Sequence, residues 1–306
     1  MAGVTNEAVR VAGVELGGTK CIAVVGEGLD IVSCRQWRTG DDPARTLAEV
    51  SAWLDHHHAL YGFAALGIAS FGPVCLDRAS ANYGFILDTP KPGWSGVDVV
   101  NMLRGKRDMA VGFDTDVAGA ALAEGRWGAA VGCAAYVYLT IGTGIGGGVV
   151  VDGKPLHGAL HPEIGHIRVR RAPSDDFPGA CPFHHDCLEG LASGPAIALR
   201  AGRTAETLDE KDPIWGRVAD ELGELMHMLI LTLSPQRIVV GGGLGLGQAH
   251  LLPRILIATE QRLGNYLPGQ SLAELKQTIV HASLGDNAGV HGALVLALHA
   301  LGRRES

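Results

Sequence analysis

Leu139-Thr-Ile-Gly-Thr-Gly-Ile-Gly-Gly-Gly148 is flanked by apolar runs, Tyr136 to Ile141 before the first turn glycine and Ile145 to Val151 after it. Two short apolar runs separated by Gly142-Thr143-Gly144 read as strand, tight turn and strand, because glycine removes the side chain that would block a sharp reversal. The chain opens on the same pattern. Val9 to Val14 is apolar, Gly17-Gly18-Thr19-Lys20 interrupts, and Cys21 to Val25 is apolar again. The turn Leu16-Gly-Gly-Thr19 is echoed by Ile141-Gly-Thr-Gly144 about 125 positions later. One glycine-tipped hairpin used twice implies two similar α/β halves joined somewhere in residues 117–134, and 306 residues suffice for two domains.

Between the two hairpins the spacing predicts a strand over Asp30–Trp37. A helix follows over Ala44–Tyr61, with Leu47, Val50, Trp53, Leu54 and Leu60 on its apolar face. Strands are expected at Phe63–Ala69, before the Gly72-Pro73 break, and at Met109–Phe113, ending on Asp114-Thr115-Asp116. A helix is then expected over Val117–Trp127. Beyond the second hairpin, residues 171–187 form an irregular insert rich in Pro, Asp, His and Cys. One long helix is expected near Leu188–Arg203, and another from Asp212-Pro213 to Leu233. Arg237–Val240 reads as a strand running into Gly241-Gly242-Gly243, and Val290–Leu301 as a closing amphipathic helix.

Apolar residues make up 47% and charged residues 19%, which permits a large core and excludes a disordered chain. The net charge is −7 and no basic face is evident, so nucleic acid is not an expected partner. Phosphate ligands remain open, since backbone N–H groups and Mg²⁺ can hold them. Residues 1–10 carry no secretory leader, and no window approaches the roughly 18 apolar residues of a membrane span. A cytoplasmic protein with no membrane partner is expected. Cys21, Cys34, Cys75 and Cys133 lie among apolar neighbours and read as reduced core residues. His56-His57-His58 on the first helix reads as a solvated face.

Three features carry chemistry. Glycine turns leave N–H groups for a ligand, Thr19, Thr140 and Thr143 add hydroxyls, and Lys20 adds a positive charge. Two such turns facing one another across a cleft could clamp a polyphosphate. The spacing is neither that of a Walker A loop nor of a dinucleotide fingerprint. Gly241, Gly242 and Gly243 suit close approach to a flat base. Asp114 and Asp116 sit where a strand gives way to a helix, a place for either helix caps or a base that takes a hydroxyl proton. Cys181, His184 and Cys187 follow a Cys-x₂-His-x₂-Cys spacing, and His166 is the natural fourth ligand of a tetrahedral Zn²⁺ site. Reduced cysteines beside ordinary histidines are the alternative reading.

These motifs together resemble the ROK family of sugar kinases over residues 11–300 or so. Glu15-Leu-Gly-Gly-Thr-Lys20 resembles its first phosphate motif, the stretch 139–148 its second, and Val239-Val-Gly-Gly-Gly-Leu244 its adenosine motif. The resemblance implies an actin-like or hexokinase-like (ribonuclease H-like) ATPase fold. Its two α/β domains would span residues 1–120 and 121–306 around a cleft, with the C-terminal helix packing back on the first. Gly17, Gly18, Thr19, Lys20, Thr140, Gly142, Thr143, Gly144 and Gly241–Gly243 would then hold ATP. Glu15, where the family has Asp, becomes a candidate Mg²⁺ ligand. Phe113 to Gly128 resembles the catalytic segment, with Asp116 matching the general base. Thr115 and Gly119 stand where the family has Asn.

The stretch from His161 to His166 resembles the segment whose Glu163 and His166 contact the sugar, as Glu189 would. Thr115 can donate one further hydrogen bond to a sugar hydroxyl. A His in place of one Cys in the zinc set looks like the fructokinase branch, as does the loop Tyr83–Trp94, which Trp94 could anchor. The zinc would be structural. The implied reaction transfers phosphate from ATP to D-fructose, in a homodimer. Glucose, mannose or an N-acetylated amino sugar remain alternative substrates, and a silent sugar-binding protein an alternative role. A DNA-binding repressor is disfavoured because only about ten residues precede the first strand.

Overall fold

The computed structural model describes residues 9–304, which form two compact units. One holds the described chain through Trp127, the segment His157–His161 and the residues from Asn287 on. The other holds Gly128–Leu156 and Pro162–Asp286. The expectation about a leader in residues 1–10 falls almost wholly on residues 1–8, outside the described residues.

The first unit is a five-stranded sheet. Strands β1 (Arg10–Leu16) and β2 (Lys20–Glu27) form the opening hairpin, with Leu16 opposite Cys21, and β3 (Asp30–Arg38) pairs antiparallel with β2. Helix α1 (Pro43–Tyr61) leads to β4 (Ala65–Ser70), which lies parallel to β1. Helix α2 (Val99–Arg104) leads to β5 (Ala110–Thr115), parallel to β4, and α3 (Asp116–Trp127) follows at once. The sheet order is β3-β2-β1-β4-β5. Both of its faces are buried, so β2 splits its side chains by period two. Cys21, Ala23 and Val25 join the cluster under α1 with Leu47, Val50 and Leu54, while Ile22 and Val24 join the one under the C-terminal helix Ala288–Arg304.

Sequence explains the ends of α1. The Asp42 carboxylate accepts from Arg45 N at 3.0 Å, Pro43 pre-sets the first turn, and Gly62 closes it at φ 65°. The C-terminal helix lies against the sheet at backbone distance. A Cβ on Gly67 of β4 would stand 1.8 Å from the Ala293 carbonyl oxygen, so only glycine lets the helix this close.

The second unit repeats the design. Strands β6 (Ala135–Ile141) and β7 (Ile145–Val151) make the second hairpin, with Ile141 opposite Ile145, and β8 (Lys154–Pro155) adds a short edge. After the insert come α4 (Leu188–Ala192), α5 (Gly194–Ala201) and α6 (Ile214–Leu233). Strand β9 (Arg237–Gly241) then lies parallel to β6. Helices α7 (Gly243–Gly247), α8 (Leu251–Leu263) and α9 (Leu272–Thr278) precede β10 (Ile279–His281), and the order is β10-β9-β6-β7-β8. Hairpin plus parallel strand, β1-β2-β4, is answered by β6-β7-β9. The core of this unit centres on Trp215, Leu222, Leu225 and Met226 of α6 against Val137, Leu139 and Ile238.

Several expectations need correction. The helix expected over 188–203 is two helices, because Ser193 is extended (φ −73°, ψ 163°) and its hydroxyl caps Ala196 N, with Pro195 in the new first turn. All six cysteines are free, but only Cys21 of the four expected core thiols is buried. Cys34 is exposed because β3 is a sheet edge, and Cys75 and Cys133 are half-buried. Leu60 is exposed rather than on the packed face of α1. Of the histidine run, His56 is exposed but His57 and His58 are half-buried. His57 lies one turn beyond Trp53 and stacks on it at 3.8 Å. Its Nδ1–H donates to Trp53 O, which leaves Nε2 to accept from the Ser33 hydroxyl at 3.0 Å. Trp94 does anchor its loop: it is fully buried, with Nε1–H donating to Gly40 O at 3.0 Å.

Candidate functional site

In the first unit, the turn between β1 and β2 exposes Gly18, Thr19 and Lys20. Gly17 N–H is tied to Lys20 O at 2.9 Å. Glu15, on β1, points its carboxylate at the start of the C-terminal helix, so close to Gly289 that a Cβ there would stand 2.3 Å from the carboxyl carbon. Burial pushes the Glu15 carboxyl above its ordinary range, against the pull of Lys20. Its Oε2 is buried without a hydrogen-bond partner among the described residues, an acid oxygen of the kind that suits a divalent cation or the water of one.

At the β5–α3 corner, the helix cap falls on the residue between the two aspartates. Thr115 Oγ1 accepts from Ala118 N at 3.1 Å, and Thr115 is buried. Asp114 is buried too. Its Oδ1 accepts from Thr115 N at 2.8 Å and from His157 Nε2–H at 3.1 Å. Asp116 is the half-buried member, with Oδ1 accepting from Val117 N at 2.9 Å. Capping therefore does not explain Asp114 or Asp116. Position 119 is a packing site: a Cβ on Gly119 would stand 3.1 Å from Ala69 Cβ and 3.4 Å from the Gly292 backbone, which explains a glycine where the family pattern has Asn. The segment around His157 and His161 joins this corner. His161 is buried, and its Nε2 accepts from Val74 N at 3.1 Å. Neither histidine belongs to the site residues expected from sequence, and their only signal is the pair of histidines ahead of Glu163.

In the second unit, the turn Gly142-Thr143-Gly144 and the glycine run after β9 come together. An ideal Cβ on Gly142 would stand 3.6 Å from Gly243 N, and one on Gly242 would stand 2.7 Å from Thr140 Oγ1. Gly142, Thr143, Gly243 and Leu244 line a pocket of ≈ 400 Å³. Gly194, Pro195 and Ala198 of α5 complete it with Thr204, Ala205 and Glu206. That size suits a ligand as large as a nucleoside. The α5 and 204–206 walls left no sequence signal beyond Pro195.

The insert brings the expected metal donors to one point. One ligand atom each from His166, Cys181, His184 and Cys187 lies within 4.8 Å of all the others. Cys181 Sγ is 3.8 Å from His166 Nδ1 and from His184 Nδ1, and Cys187 Sγ is 3.6 Å from His166 Nδ1. A tetrahedron with Zn–S of about 2.3 Å and Zn–N of about 2.0 Å has edges of roughly 3.3–3.8 Å, so the donor set and these three Sγ–Nδ1 spacings fit zinc. Asp175 fastens the insert to the unit. Its buried carboxylate accepts from Arg171 and Arg200, and Arg200 reaches on to Glu221 of α6 at 3.0 Å. Of the expected sugar residues, Glu163 is exposed on the 3₁₀ turn beside His166, whose Nδ1 faces the thiols. Glu189 of α4 does not stand alone: its Oε2 accepts from Ile145 N at 2.9 Å.

Two glycine-tipped α/β sheets, one followed by an acid at a helix start and the other by a nucleoside-sized pocket, define the actin-like ATPase class of fold. The chain belongs to the ROK family, whose sequence profile matches residues 11–300. It is 46% identical over 244 residues to the fructokinase of Zymomonas mobilis, covering 78% of this chain and 79% of that one. It is also 36% identical to the fructokinase of Pediococcus pentosaceus, covering 94% and 97%. Among solved structures, a ROK family glucokinase from Streptomyces griseus, in complex with glucose and AMPPNP, superposes with a TM-score of 0.74 at 25% identity. That match covers 95% of this chain and 99% of that one.

Proposed function

We propose that the protein is an ATP-dependent fructokinase that converts D-fructose to fructose 6-phosphate. The observation that carries the nucleotide half is the ≈ 400 Å³ pocket walled by the second glycine turn and the glycine run after β9. The fructokinase relatives carry the choice of sugar. No helix among the described residues is long and apolar enough to cross a membrane. A homodimer, as the resemblance implies, belongs to the same reading and is checked by light scattering on the purified chain.

In this reading the Asp116 carboxylate takes the proton of the sugar 6-hydroxyl while that oxygen bonds to the γ-phosphorus of ATP. The bond from phosphorus to the β–γ bridging oxygen breaks, and the electron pair leaves on ADP. The turns Gly17–Lys20 and Gly142–Gly144 would hold the phosphates through N–H groups other than those of Gly17 and Gly142, which bond Lys20 O and Gly144 O, and Gly241–Gly243 would lie along the base. Glu15 would hold Mg²⁺ through its waters, and Mg²⁺ when bound neutralises charge on the phosphates. Glu163, and with it the region of His166 and Glu189, orients the sugar hydroxyls. His166, Cys181, His184 and Cys187 would hold Zn²⁺, which when bound closes the insert as a structural site.

A coupled ADP-release assay with fructose, glucose, mannose and N-acetylmannosamine tests the proposal. Fructose should give the highest kcat/KM. A higher value on another hexose replaces the substrate, and no turnover on any of the four rejects the kinase.

A further inference from the structure

We infer that Glu189 is a positioning residue for the second glycine turn, and that it ties the turn to the metal-bearing insert. The second half of this inference rests on the zinc reading above.

The turn is held at both ends by one short segment. Ile145, the first residue after it, donates its N–H to Glu189 Oε2 at 2.9 Å, and Gly194 N–H donates to Gly142 O at 2.8 Å. The fit is close: an ideal Cβ on Gly144 would stand 2.7 Å from Glu189 Oε2. Glu189 supplies the side-chain acceptor oxygen that holds this backbone N–H, and with it the turn, in place. Residues 189–194 therefore clamp the strand-to-strand reversal that walls the nucleotide-sized pocket.

The same segment is seated on the insert. Cys187, a metal donor, is two residues before Glu189, and Gly190 O accepts from Ala180 N at 2.8 Å. A Cβ on Gly190 would lie 1.9 Å from His185 O, so the donor loop rests directly on α4. Leu188 N–H donates to Ile167 O at 2.9 Å, next to His166. Loss of order among the four donors thus reaches α4 through Cys187, Ala180 and Ile167, and reaches the turn through the Glu189 carboxylate.

The test is calorimetric titration of ADP into the full-length protein, as wild type, Glu189→Gln and Glu189→Met, with zinc content measured on each before and after a chelator. The glutamine keeps an acceptor oxygen, and its affinity should stay within about threefold of wild type. The methionine keeps the length but not the acceptor, and should bind ADP about tenfold more weakly or worse. Chelation should weaken ADP binding by the wild type and add nothing to the Glu189→Met loss. Melting temperatures and fructose KM are recorded alongside, because a residue that only touched sugar would move the KM and leave ADP affinity alone. Wild-type ADP affinity in Glu189→Met overturns the inference. Equal chelator losses in wild type and Glu189→Met overturn the tie to the insert. Absence of zinc from a protein that also fails to take it up sinks the metal reading by elemental analysis alone, while the ADP titrations still judge Glu189.

Discussion

Replacing Gly67 with alanine tests how closely the C-terminal helix must lie on the first sheet. The new methyl would stand 1.8 Å from Ala293 O and 2.6 Å from Ala297 N. Ordinary contact needs roughly 3.5 Å, so the helix has to rise by about 1.5 Å, and both obstacles are backbone atoms that no rotamer change removes. A gap of more than about 1 Å forfeits about half or more of the contact energy of the side chains it lifts. Val290, Leu294 and Leu298 of that helix are buried against the sheet. At about 1.5–3 kcal/mol each for burial, the loss comes to about 2–5 kcal/mol. For a chain of this size that lowers the melting temperature by roughly 3–8 °C. Gly216→Ala is the control. It lies exposed inside α6 with open space around it, and should gain up to about 1 kcal/mol from helix propensity. Scanning calorimetry on both variants decides. A Gly67→Ala protein melting within 2 °C or so of wild type would refute the close-packing argument.

Asp116→Asn keeps the shape of the corner and removes the base, so kcat should fall by about 10²–10⁴-fold with little change in the KM for ATP. Turnover near wild type in a steady-state assay takes the base role away from Asp116. Arg200→Met leaves the Asp175 and Glu221 carboxylates buried without the guanidinium that joins them, at about 3–5 kcal/mol by chemical denaturation. Loss of less than about 1 kcal/mol would mean the ion pairs do not fasten the insert. Asp175 also makes a pH prediction. Burial raises its carboxyl, but the bonds from Arg200 and Arg171 outweigh that and hold it below the usual carboxylate range. A depressed folded-state value means the stabilisation is present above the unfolded pKa of about 3.9 and is lost as pH falls through the folded one. The melting-temperature gap between wild type and Asp175→Asn should therefore be widest near neutrality and shrink below about pH 4. A gap that stays constant across that range excludes the charge of Asp175 as its source.

Local chemistry was legible in the sequence, and distant pairing was not. Gly17–Lys20 and Gly142–Gly144 announce turns because apolar runs flank them, and Asp42-Pro43 announces the start of α1. The four metal donors were readable because three of them fall within seven residues of a single loop. Ser193 was missed because the apolar spacing continues through it, while the hydroxyl cap and Pro195 that break the helix act against that spacing. The exposure of Cys34 was hidden because its strand has apolar neighbours but lies at a sheet edge. The bonds from Glu189 to Ile145 and from His157 to Asp114 join residues more than 40 positions apart, and nothing in either stretch names its partner. Helix α9 does announce its start, through the Ser271-Leu-Ala-Glu274 capping box that the structure forms, whereas the pocket wall at 204–206 carries no comparable signal.

The placement of the C-terminal helix has a consequence for biosynthesis. The sheet of the first unit is made from residues near the start of the chain, yet one of its faces is covered by Ala288–Arg304. A ribosome delivers the whole of the second unit before that cover emerges. The earliest strands therefore carry bare apolar surface until the last residues arrive, while the later-made half is free to fold first.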